Sequence, residues 1–598
     1  MQTKFLMGNQ AIAYAAYAAG VNIACGYPGT PSTEIIETFA KIRDDESYVE
    51  WSINEKAAME VAAGASMAGA RTIVTMKQVG LNVASDPLMS LSYLGVKGGM
   101  VIIVADDPGP ISSQTEQDTR TFAEFSKVPL FDPSTPEEAY DMVFEAFELS
   151  EKYHTPVFIR PTTRVCHGYA QIALRQKTHH AISGFTKSPQ WVIFPKLSYE
   201  AHKAIEERND VLSKEFSLNH FNTIEGSGKF GIATSGISYA YVKEALKDLN
   251  INARILKIST PFPFPEEKTR EFFDEVHEVL VFEELDPYIE RHLLQVAATH
   301  NCEVNILGKL TGNVQRAGEL SQESIHHTLT DFFGLGNINE RVTPESAVAL
   351  PVRPPALCAG CPHRGSFYIV KRATKGKKAV YSGDIGCYTL GNSAPLDMVD
   401  TCLCMGAGIT MAQGLHRAEP DAYNIAFIGD STFFASGITG VINAVYNQTD
   451  ITIILVDNST TAMTGGQPHP GTAQTMMNTT SARFNMEELL GALKVSFVAT
   501  ANPFDIDGST AIVEQALRVK GVSVVIFKAP CIQLFKSVST VVVDAEACTG
   551  CLRCVTQLGC PALSLDGDKV KIDQGLCNGC GLCQQICTFD ALKSKELM

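Results

Sequence analysis

The chain has 598 residues, and its 49 Lys and Arg are outnumbered by 65 Asp and Glu, which gives a net charge of −16. A chain of this length exceeds what one hydrophobic core can hold, so several domains are expected. The acidic balance disfavours a general nucleic-acid binder, and no apolar run approaches the roughly 18 residues of a membrane span. We therefore expect neither nucleic acid nor a membrane as a partner.

The N-terminal part of the chain alternates helical and strand-like patterns. An Ala-rich stretch that ends at Gly20 predicts a packed helix rather than a secretory leader, because polar Asn9 interrupts its start. Short, uniformly apolar runs at 71–76, 100–106 and 155–161 predict strands separated by helices. This pattern is typical of a parallel sheet that helices cover on both faces.

The α/β pattern occurs twice more before a cysteine-rich end, so we predict an α/β protein with parallel sheets. The stretch after the first domain is rich in His, Lys and Gln and has no clear period, so we interpret it as a linker or as an excursion that covers a domain. A Pro-rich segment at 342–358 indicates a later domain boundary. The predicted ranges are a first domain at 1–175, the linker at 176–227, a second domain at 228–340, a third at 341–537 and a cysteine-rich module at 538–598.

Eight of the 17 cysteines lie after residue 547 in tight spacing. Each of two runs places three cysteines two residues apart, which suits three corners of an iron–sulfur cube, and the distant cysteine of the other run supplies the fourth corner. The predicted sets are Cys548, Cys551, Cys554 and Cys587 for one [4Fe-4S] cluster, and Cys560, Cys577, Cys580 and Cys583 for the other. Two zinc sites are the alternative, although zinc ligands usually come in separated pairs. Ligand-like cysteines without a disulfide framework favour a cytoplasmic location.

Two neighbouring predicted strands end in polar residues. The strand at 423–428 runs into Gly429, Asp430 and Ser431, and Asn458 follows the next strand along the chain. The carboxyl ends of parallel strands form the crevice in which open α/β sheets bind cofactors. A carboxylate and an amide oxygen there suit Mg²⁺, and the glycine lets the backbone approach a diphosphate. An ordinary turn is the alternative for a Gly-Asp pair after a strand.

These motifs, together with the segments 26–34, 357–365, 383–391 and 457–467, resemble the 2-oxoacid:ferredoxin oxidoreductases over nearly the whole chain. The segment from Gly429 to Asn458 is similar to the thiamine diphosphate motif of such enzymes. Five residues separate Cys554 from Cys560, where bacterial ferredoxins have three, and this longer loop is also similar to the family. The resemblance implies a pyrimidine-binding domain at 1–175, a transketolase C-terminal-like domain at 228–340, a diphosphate-binding domain at 341–537 and a ferredoxin domain at 538–598.

The resemblance also implies roles for individual residues in binding thiamine diphosphate. Glu55 would hydrogen-bond the pyrimidine ring at N1′ and assist removal of the reactive proton. An ordinary first-turn carboxylate of a helix is the alternative for Glu55. The Mg²⁺ ligands would be Asp430, Asn458 and the carbonyl of Thr460. The other residues implied in cofactor binding are Asp384, Gly386, Cys387, Gly429 and Ser431.

Substrate contacts are implied less directly. Thr30 would contact the substrate, and the alternative is a helix N-cap followed by Pro31 at the first helical position. Arg120 would hold the substrate carboxylate in the manner of relatives that act on pyruvate. His363 and His469 would line the cofactor pocket, whereas a lone histidine is more often a core or surface residue.

A third cluster would resemble the proximal cluster of related pyruvate enzymes. Its ligands would be Cys358, Cys361, Cys387 and Cys531. The alternative is that these thiols are buried as small apolar groups, and we expect Cys402 and Cys404 nearby to be of that kind.

The family implies the oxidative decarboxylation of a 2-oxoacid on thiamine diphosphate, with arylpyruvate as the substrate class, coenzyme A as the acyl acceptor and ferredoxin as the electron acceptor. A gamma-type domain of the family is missing from this chain, so we expect a small beta subunit that carries it, in an α2β2 assembly. The alternatives are a non-oxidative decarboxylase, the same reaction on pyruvate or branched 2-oxoacids, and an electron carrier with vestigial thiamine folds.

Overall fold

The computed structural model describes residues 2–335 and 354–596. The chain divides into two compact units, Met1–Ala347 and Val348–Met598. Most of the Pro-rich boundary segment predicted at 342–358 lies outside the described residues. The domain ranges given above stay predictions.

The first unit begins with a parallel α/β domain, as the apolar runs predicted. Six strands form a parallel sheet in the order β3-β2-β4-β5-β7-β6, while β1 and β8 pair antiparallel. The strands are β1 (Thr3–Met7), β2 (Ile23–Gly26), β3 (Tyr48–Trp51), β4 (Thr72–Lys77), β5 (Met100–Ala105), β6 (Leu130–Phe131), β7 (Val157–Ile159) and β8 (Tyr169–Ala173). The helices are α1 (Gly8–Ala18), α2 (Thr33–Ile42), α3 (Glu55–Met67), α4 (Gln78–Leu94), α5 (Thr119–Ser126), α6 (Pro136–Tyr153) and α7 (Thr163–His167). Every residue of β5 is buried, because helices cover both faces of the sheet.

The linker predicted at 176–227 contains a long helix that the sequence analysis missed. Helix α8 (Pro195–Leu218) spans 24 residues, yet it buries few of them. Its buried stripe of Ile205, Asn209, Leu212 and Phe216 has helical spacing, but a polar residue interrupts the stripe. Exposed apolar residues elsewhere on the helix hide the period further.

A second sheet completes the first unit. It has the order β13-β12-β10-β11-β9, in which only β9 runs antiparallel to its neighbour among the described strands. The strands are β9 (Thr223–Gly226), β10 (Phe230–Thr234), β11 (Arg254–Lys257), β12 (Glu278–Phe282) and β13 (Asn305–Leu307). The helices are α9 (Ser238–Asp248), α10 (Glu266–Phe273), α11 (Tyr288–His300) and α12 (Gln322–Phe332).

The second unit is built on a five-stranded parallel sheet in the order β14-β15-β16-β18-β17. The strands are β14 (Ala379–Ser382), β15 (Tyr423–Gly429), β16 (Ile451–Asp457), β17 (Phe497–Ala501) and β18 (Val522–Lys528). The helices are α13 (Pro362–Ala373), α14 (Ala407–Ala418), α15 (Asp430–Thr432), α16 (Ile438–Tyr446), α17 (Met486–Ala492) and α18 (Ile506–Ala516). All of β16 is buried, because this strand lies in the middle of the sheet.

The cysteine-rich module follows in the same unit. Strand β19 pairs antiparallel with β22, and β20 and β21 form a second antiparallel pair. These elements are β19 (Ser539–Val543), α19 (Arg553–Leu558), β20 (Leu563–Asp566), β21 (Lys569–Ile572), α20 (Leu582–Ile586) and β22 (Leu592–Glu596). None of the helices in the described part of the chain combines the length and apolar character that crossing a membrane requires. The predicted α/β class with parallel sheets is confirmed.

Candidate functional sites

The structure brings the two ends of the predicted diphosphate motif together. Strands β15 and β16 lie side by side, with Gly429 opposite Val456 in the register. Asp430 is the first residue of the helix that follows β15, and its Oδ2 accepts hydrogen bonds from the backbone N–H groups of Asn458 at 3.1 Å and Ser459 at 2.8 Å. One carboxylate therefore joins the carboxyl ends of two neighbouring strands.

Two histidines contact this pair. Burial lowers the pKa of His363 to about 4, so its ring is neutral, and its Nε2 lies 3.2 Å from Asn458 Nδ2. A neutral ring nitrogen accepts from the amide N–H, which leaves the amide oxygen of Asn458 directed elsewhere. His469 Nε2 lies 3.2 Å from Asp430 Oδ2, while its Nδ1 accepts from Gly471 N at 3.2 Å. Both predicted histidines therefore lie at the diphosphate motif.

The charge of Asp430 is held by these contacts. Burial opposes ionisation of this carboxyl, but the nearby His469 ring and the backbone N–H groups outweigh it and lower its pKa. Burial and the nearby Asp430 raise the pKa of Asp457 to about 6. A carboxylate that is ionised inside a buried polar pocket is a suitable ligand for a hard cation.

The third predicted oxygen ligand lies in the same turn. Thr460 N donates to Asn458 Oδ1 at 3.2 Å, and the Thr460 carbonyl accepts from Ala462 N at 3.0 Å. Ser431 also faces this turn, because Thr461 donates to its hydroxyl at 3.0 Å. The described residues contain no group of three His, Cys, Asp or Glu side chains placed to hold one metal ion. The donors that the turn offers are instead one carboxylate, one amide oxygen and one backbone carbonyl, all of them oxygen.

Two predicted glycines make room for an aromatic ring. A Cβ on Gly429 would lie 2.4 Å from the ring of Tyr388, and a Cβ on Gly386 would lie 2.5 Å from it. The Tyr388 hydroxyl lies at hydrogen-bond distance, 3.1 Å, from both Ile385 O and Thr432 Oγ1. The glycines therefore let this ring pack against the end of β15, which the sequence analysis did not foresee.

Asp384 has a backbone-holding role in the structure. Its carboxylate accepts from the Gly406 N–H at 2.9 Å and 2.8 Å and from the Ile385 N–H at 2.6 Å. Gly406 precedes helix α14, so Asp384 fixes the start of that helix against the end of β14. Burial raises the pKa of Asp384 to about 7.

In the first unit, Glu55 is a buried carboxyl at the start of α3. The helix is capped by Asn54, whose side chain accepts from Ala57 N at 2.9 Å, so the cap does not need Glu55. Glu55 is 9% exposed, and burial raises its pKa to about 7. The positive charge of Lys77, at the end of β4, opposes this rise in the pKa of Glu55. A buried carboxyl that titrates near neutrality suits proton transfer better than a capping role.

Gly80 on helix α4 allows this arrangement. A Cβ on Gly80 would lie 2.4 Å from Glu55 Oε1. No sequence pattern pointed to this glycine, because it lies on a different helix from Glu55 and outside the motif that contains Glu55.

The turn that contains Thr30 lies beside Lys77. A Cβ on Gly29 would lie 3.2 Å from Lys77 Cγ, and Ser112 links the two, since its hydroxyl donates to Thr30 O at 3.2 Å and its carbonyl accepts from Lys77 Nζ at 3.3 Å. Helix α2 begins at Thr33 after Ser32, so the alternative of Thr30 as an N-cap is wrong.

The structure does not support Arg120 as a substrate contact. Its guanidinium is fully buried and forms ion pairs with Asp118 at 2.6 Å and Glu283 at 2.9 Å. The remaining donors reach Ser235 Oγ and the carbonyls of Glu284 and Asp286. All five N–H groups are used within the chain, so none is left for a carboxylate from outside.

Within each predicted ferredoxin set, neighbouring thiols affect one another's pKa. Burial raises the pKa of Cys554, and Cys587 and Cys551 add to the rise. Burial raises the pKa of Cys580 to about 11, and Cys560 and Cys577 add to the rise. Burial raises the pKa of Cys583 as well, with contributions from these three thiols and, last among its causes, from Cys554 of the other set.

The second set also shares a cavity. Its four cysteines line one pocket together with apolar residues of the module. Backbone N–H groups point at sulfur in both sets, from Val541 to Cys577 and from Ala591 to Cys587, each at 3.4 Å. Such N–H to sulfur contacts are among the interactions that tune iron–sulfur clusters. Cys548 has its pKa lowered by backbone N–H groups in the same way.

Thiols of the candidate third set also affect one another's pKa. Burial raises the pKa of Cys387 to about 11, and the next contributions come from Cys531 and Cys358. Burial likewise raises the pKa of Cys361 to about 12, with further contributions from Cys358 and Cys387. Cys531 N donates to Asn458 O at 2.9 Å, which places this set next to the diphosphate motif. The expectation that Cys402 and Cys404 are buried is wrong, because both are exposed.

Comparisons with known proteins agree with this arrangement. Residues 384–527 match the family described as thiamine pyrophosphate enzyme, C-terminal TPP binding domain. Residues 14–205 match pyruvate flavodoxin/ferredoxin oxidoreductase, thiamine diP-bdg, and residues 540–588 match the 4Fe-4S dicluster domain. Fold and sites thus define an oxidoreductase of the 2-oxoacid:ferredoxin class that uses thiamine diphosphate and iron–sulfur chemistry.

Individual relatives identify the family more specifically. Indolepyruvate oxidoreductase subunit IorA of Methanothermobacter marburgensis is 40% identical over 98% of this chain and 97% of that protein. The protein of the same name from Pyrococcus horikoshii is 40% identical over 98% of this chain and 96% of that protein. A solved 2-oxoglutarate:ferredoxin oxidoreductase from Magnetococcus marinus is 16% identical with a TM-score of 0.44, over 55% of this chain and 65% of that chain. The chain belongs to the family of IorA subunits of indolepyruvate oxidoreductase.

Proposed function

We propose that the chain is the thiamine-carrying subunit of an indolepyruvate:ferredoxin oxidoreductase. The reaction converts an arylpyruvate and coenzyme A to an arylacetyl-CoA and CO2, and the two electrons released reduce ferredoxin. The observation that carries this proposal is that one compact unit holds both the Asp430–Asn458 pair and the two four-cysteine sets. The names of the IorA relatives favour an arylpyruvate over other 2-oxoacids.

The diphosphate end of the cofactor is assigned to the second unit. Asp430, the amide oxygen of Asn458 and the carbonyl of Thr460 would hold Mg²⁺ beside the diphosphate, and this oxygen-only donor set fits the preference of Mg²⁺. The neutral ring of His363 orients the Asn458 amide by accepting from its nitrogen. Gly429 and Gly386 set the position of Tyr388 at the end of β15, and Asp384 fixes the neighbouring helix start.

The pyrimidine end is assigned to Glu55. Thiamine diphosphate supplies an electron sink for the carbanion that the loss of CO2 leaves behind. Glu55 would hold the pyrimidine by a hydrogen bond at N1′ and would supply a proton-exchanging group there. A pKa of about 7 lets this carboxyl exist in both protonation states near neutral pH. Thr30, in the turn beside Lys77, contacts the substrate.

The cysteine sets are assigned to electron transfer. Cys548, Cys551, Cys554 and Cys587 hold one [4Fe-4S] cluster, and Cys560, Cys577, Cys580 and Cys583 hold the other. Cys358, Cys361, Cys387 and Cys531 are assigned to a third cluster, which the mutual influence of their thiols favours. The relatives are named as subunits, and we propose a small beta subunit as the partner in an α2β2 assembly.

The test is anaerobic dye reduction by the purified chain with its small partner subunit. The assay contains Mg²⁺, thiamine diphosphate and coenzyme A, with indolepyruvate or pyruvate as substrate, and each component is omitted in turn. We expect dye reduction that requires thiamine diphosphate and coenzyme A and is faster with indolepyruvate. The same preparation should contain about 12 iron atoms per chain if all three cysteine sets are filled, and about 8 if only the ferredoxin sets are.

Each other outcome identifies an alternative. Aldehyde formation without dye reduction would indicate a non-oxidative decarboxylase. Faster turnover of pyruvate would change the substrate class but keep the reaction. Reducible clusters without turnover, in the presence of the partner subunit and all cofactors, would indicate an electron carrier and overturn the proposal.

A further inference from the structure

Arg364 connects two of the cysteine sets in the second unit. It lies in the first turn of helix α13, three residues after Cys361, and is only 3% exposed. Its Nη1 donates to the carbonyls of Leu558 at 2.6 Å and Gly559 at 2.8 Å. Its Nη2 donates to Leu357 O at 2.6 Å. One guanidinium thus ties the chain just before Cys560 to the chain just before Cys358.

The loop ahead of α13 packs directly on the second ferredoxin set. A Cβ on Gly360 would lie 1.8 Å from the side chain of Asn578, a residue between Cys577 and Cys580. The cavity lined by the four cysteines of this set is also lined by Ala359, Gly360 and Arg364. Among the described residues around this cavity, Arg364 is the only one with a charged side chain.

The charge of Arg364 is buried beside thiols. Burial lowers the pKa of the guanidinium, whereas Cys560, Cys361, Cys580 and Cys358 oppose that effect. A guanidinium stays protonated in proteins, so a fixed positive charge faces both sets. Its Nε has no hydrogen-bond acceptor in the described part of the chain. A buried N–H without an acceptor is costly, and thiolate or cluster sulfur is the acceptor that a loaded site would offer.

We propose that Arg364 is a positioning residue that docks the Cys358–Cys361 loop onto the second ferredoxin site and raises the reduction potential of the cluster held there. Reduction adds one negative charge to a centre that already carries thiolate charge, and a nearby buried cation stabilises that added charge. The cluster held by Cys560, Cys577, Cys580 and Cys583 is then the one of the two ferredoxin clusters that accepts electrons from the thiamine-binding domain. This inference rests on the cluster assignment proposed above.

The test is an EPR redox titration of the complete enzyme, assembled with its partner subunit and loaded with iron and sulfide. The variants are Arg364→Gln and Arg364→Met, which remove the charge, and Arg364→Lys, which keeps it. Arg372→Gln is the matched control, because Arg372 lies on the same helix but is exposed and pairs with Asp507. The signal of the second set is identified by its loss in Cys580→Ser.

We expect the neutral variants to make this cluster at least tenfold harder to reduce, which is a shift of about 59 mV to more negative potential. The Lys variant should shift less, and the Arg372 control should not shift. An unchanged potential in both neutral variants would overturn the inference, even if their thermal stability fell, because a purely structural role would lower stability alone. If Arg364→Met does not accumulate as loaded enzyme, the comparison of Gln with Lys decides, since both keep a donor for the carbonyls. Absence of a second cluster signal in the unmodified enzyme would instead overturn the cluster assignment itself.

Discussion

Gly80 and Glu55 are packed so closely that a Cβ on Gly80 would lie 2.4 Å from Glu55 Oε1. Gly80 lies inside helix α4, where alanine would ordinarily be more stable by roughly 0.5–1 kcal/mol. The helix therefore keeps a less stable residue at a position that packs against the carboxyl of Glu55. This close packing indicates that the position of the Glu55 carboxyl matters, as it would if the carboxyl exchanged a proton with a bound cofactor.

The first prediction is that Gly80→Ala lowers turnover. The added methyl group forces the Glu55 carboxyl to move, and a displacement of about 1 Å at a reacting group costs roughly 100-fold in rate. Steady-state dye reduction would measure the loss, and circular dichroism would check the fold. Gly64→Ala is the control, because no atom lies within 4 Å of its added Cβ. Equal rates in the two variants would contradict a positioning role for Gly80.

The second prediction is that Glu55→Gln abolishes most of the activity without loss of fold. The amide cannot give up a proton near neutral pH, and losing a general acid–base group costs roughly 10²–10⁴-fold. The proton exchange that Glu55 promotes can be followed directly by the loss of the thiazolium C2 proton in NMR. Glu60→Gln on the same helix is the control, since Glu60 is exposed and pairs only with surface charges. If the Glu55→Gln variant exchanged the C2 proton as fast as the parent, Glu55 would have a structural role only.

The third prediction concerns the dependence of stability on pH. Burial raises the pKa of Glu55 from 4.5 to about 7 in the folded state, so between these values the folded chain binds a proton that the unfolded chain has lost. Stability from this group therefore falls as pH rises through that window and stays low above it. Glu55→Gln removes the penalty, which is on the order of 3 kcal/mol. Thermal unfolding should show the variant gaining stability over the parent at pH 8 but hardly at pH 4.5.

A pH-independent difference between parent and variant would mean that Glu55 is not a buried carboxyl with a raised pKa. Glu60→Gln again supplies the comparison, since an exposed carboxyl contributes little in this range.

The sequence predicted those parts of the site that local patterns encode. Asp430 and Asn458 each follow an apolar strand, and parallel neighbours bring their ends together, so their meeting in the structure could be foreseen. The iron–sulfur module could be foreseen for the same kind of reason, because spacing along the chain limits which thiols can share a cluster, and the match of residues 540–588 to a 4Fe-4S dicluster domain agrees with it.

The contacts that could not be predicted join segments with no pattern in common. Arg120 looked available for a substrate because the sequence does not show that Asp118 and Glu283 enclose it. Gly80 and Tyr388 each pack against another element, which no local pattern shows. Helix α8 was missed because its buried stripe includes Asn209 and its exposed face carries apolar residues.

The fourth prediction is that Asp430→Asn weakens the binding of thiamine diphosphate and Mg²⁺ together. The variant removes a charged oxygen ligand and also loses a carboxylate that accepts from Asn458 N and Ser459 N. Even outer-sphere changes typically cost 10–100-fold in metal affinity, so we expect at least that loss. Isothermal titration with thiamine diphosphate at several Mg²⁺ concentrations would measure it. Asp421→Asn, at an exposed position before β15, should bind like the parent. If the parent protein bound thiamine diphosphate equally well with and without Mg²⁺, this result would contradict the assigned Mg²⁺ ligands.

The fifth prediction separates stability from substrate binding at Arg120. Arg120→Met leaves the carboxylates of Asp118 and Glu283 buried without their cation, and breaking such a buried pair costs about 3–5 kcal/mol in the free energy of unfolding. Arg164→Met is the control, because the pair of Arg164 with Glu319 is half exposed and should contribute less than about 1 kcal/mol.

The KM for the 2-oxoacid should not change in folded Arg120→Met enzyme, since the cation near Glu55 is Lys77 and not Arg120. Urea unfolding and steady-state kinetics on the same samples would measure both quantities. A raised KM with unchanged stability would return Arg120 to the substrate site, because a guanidinium that serves a substrate can be lost without unfolding its surroundings.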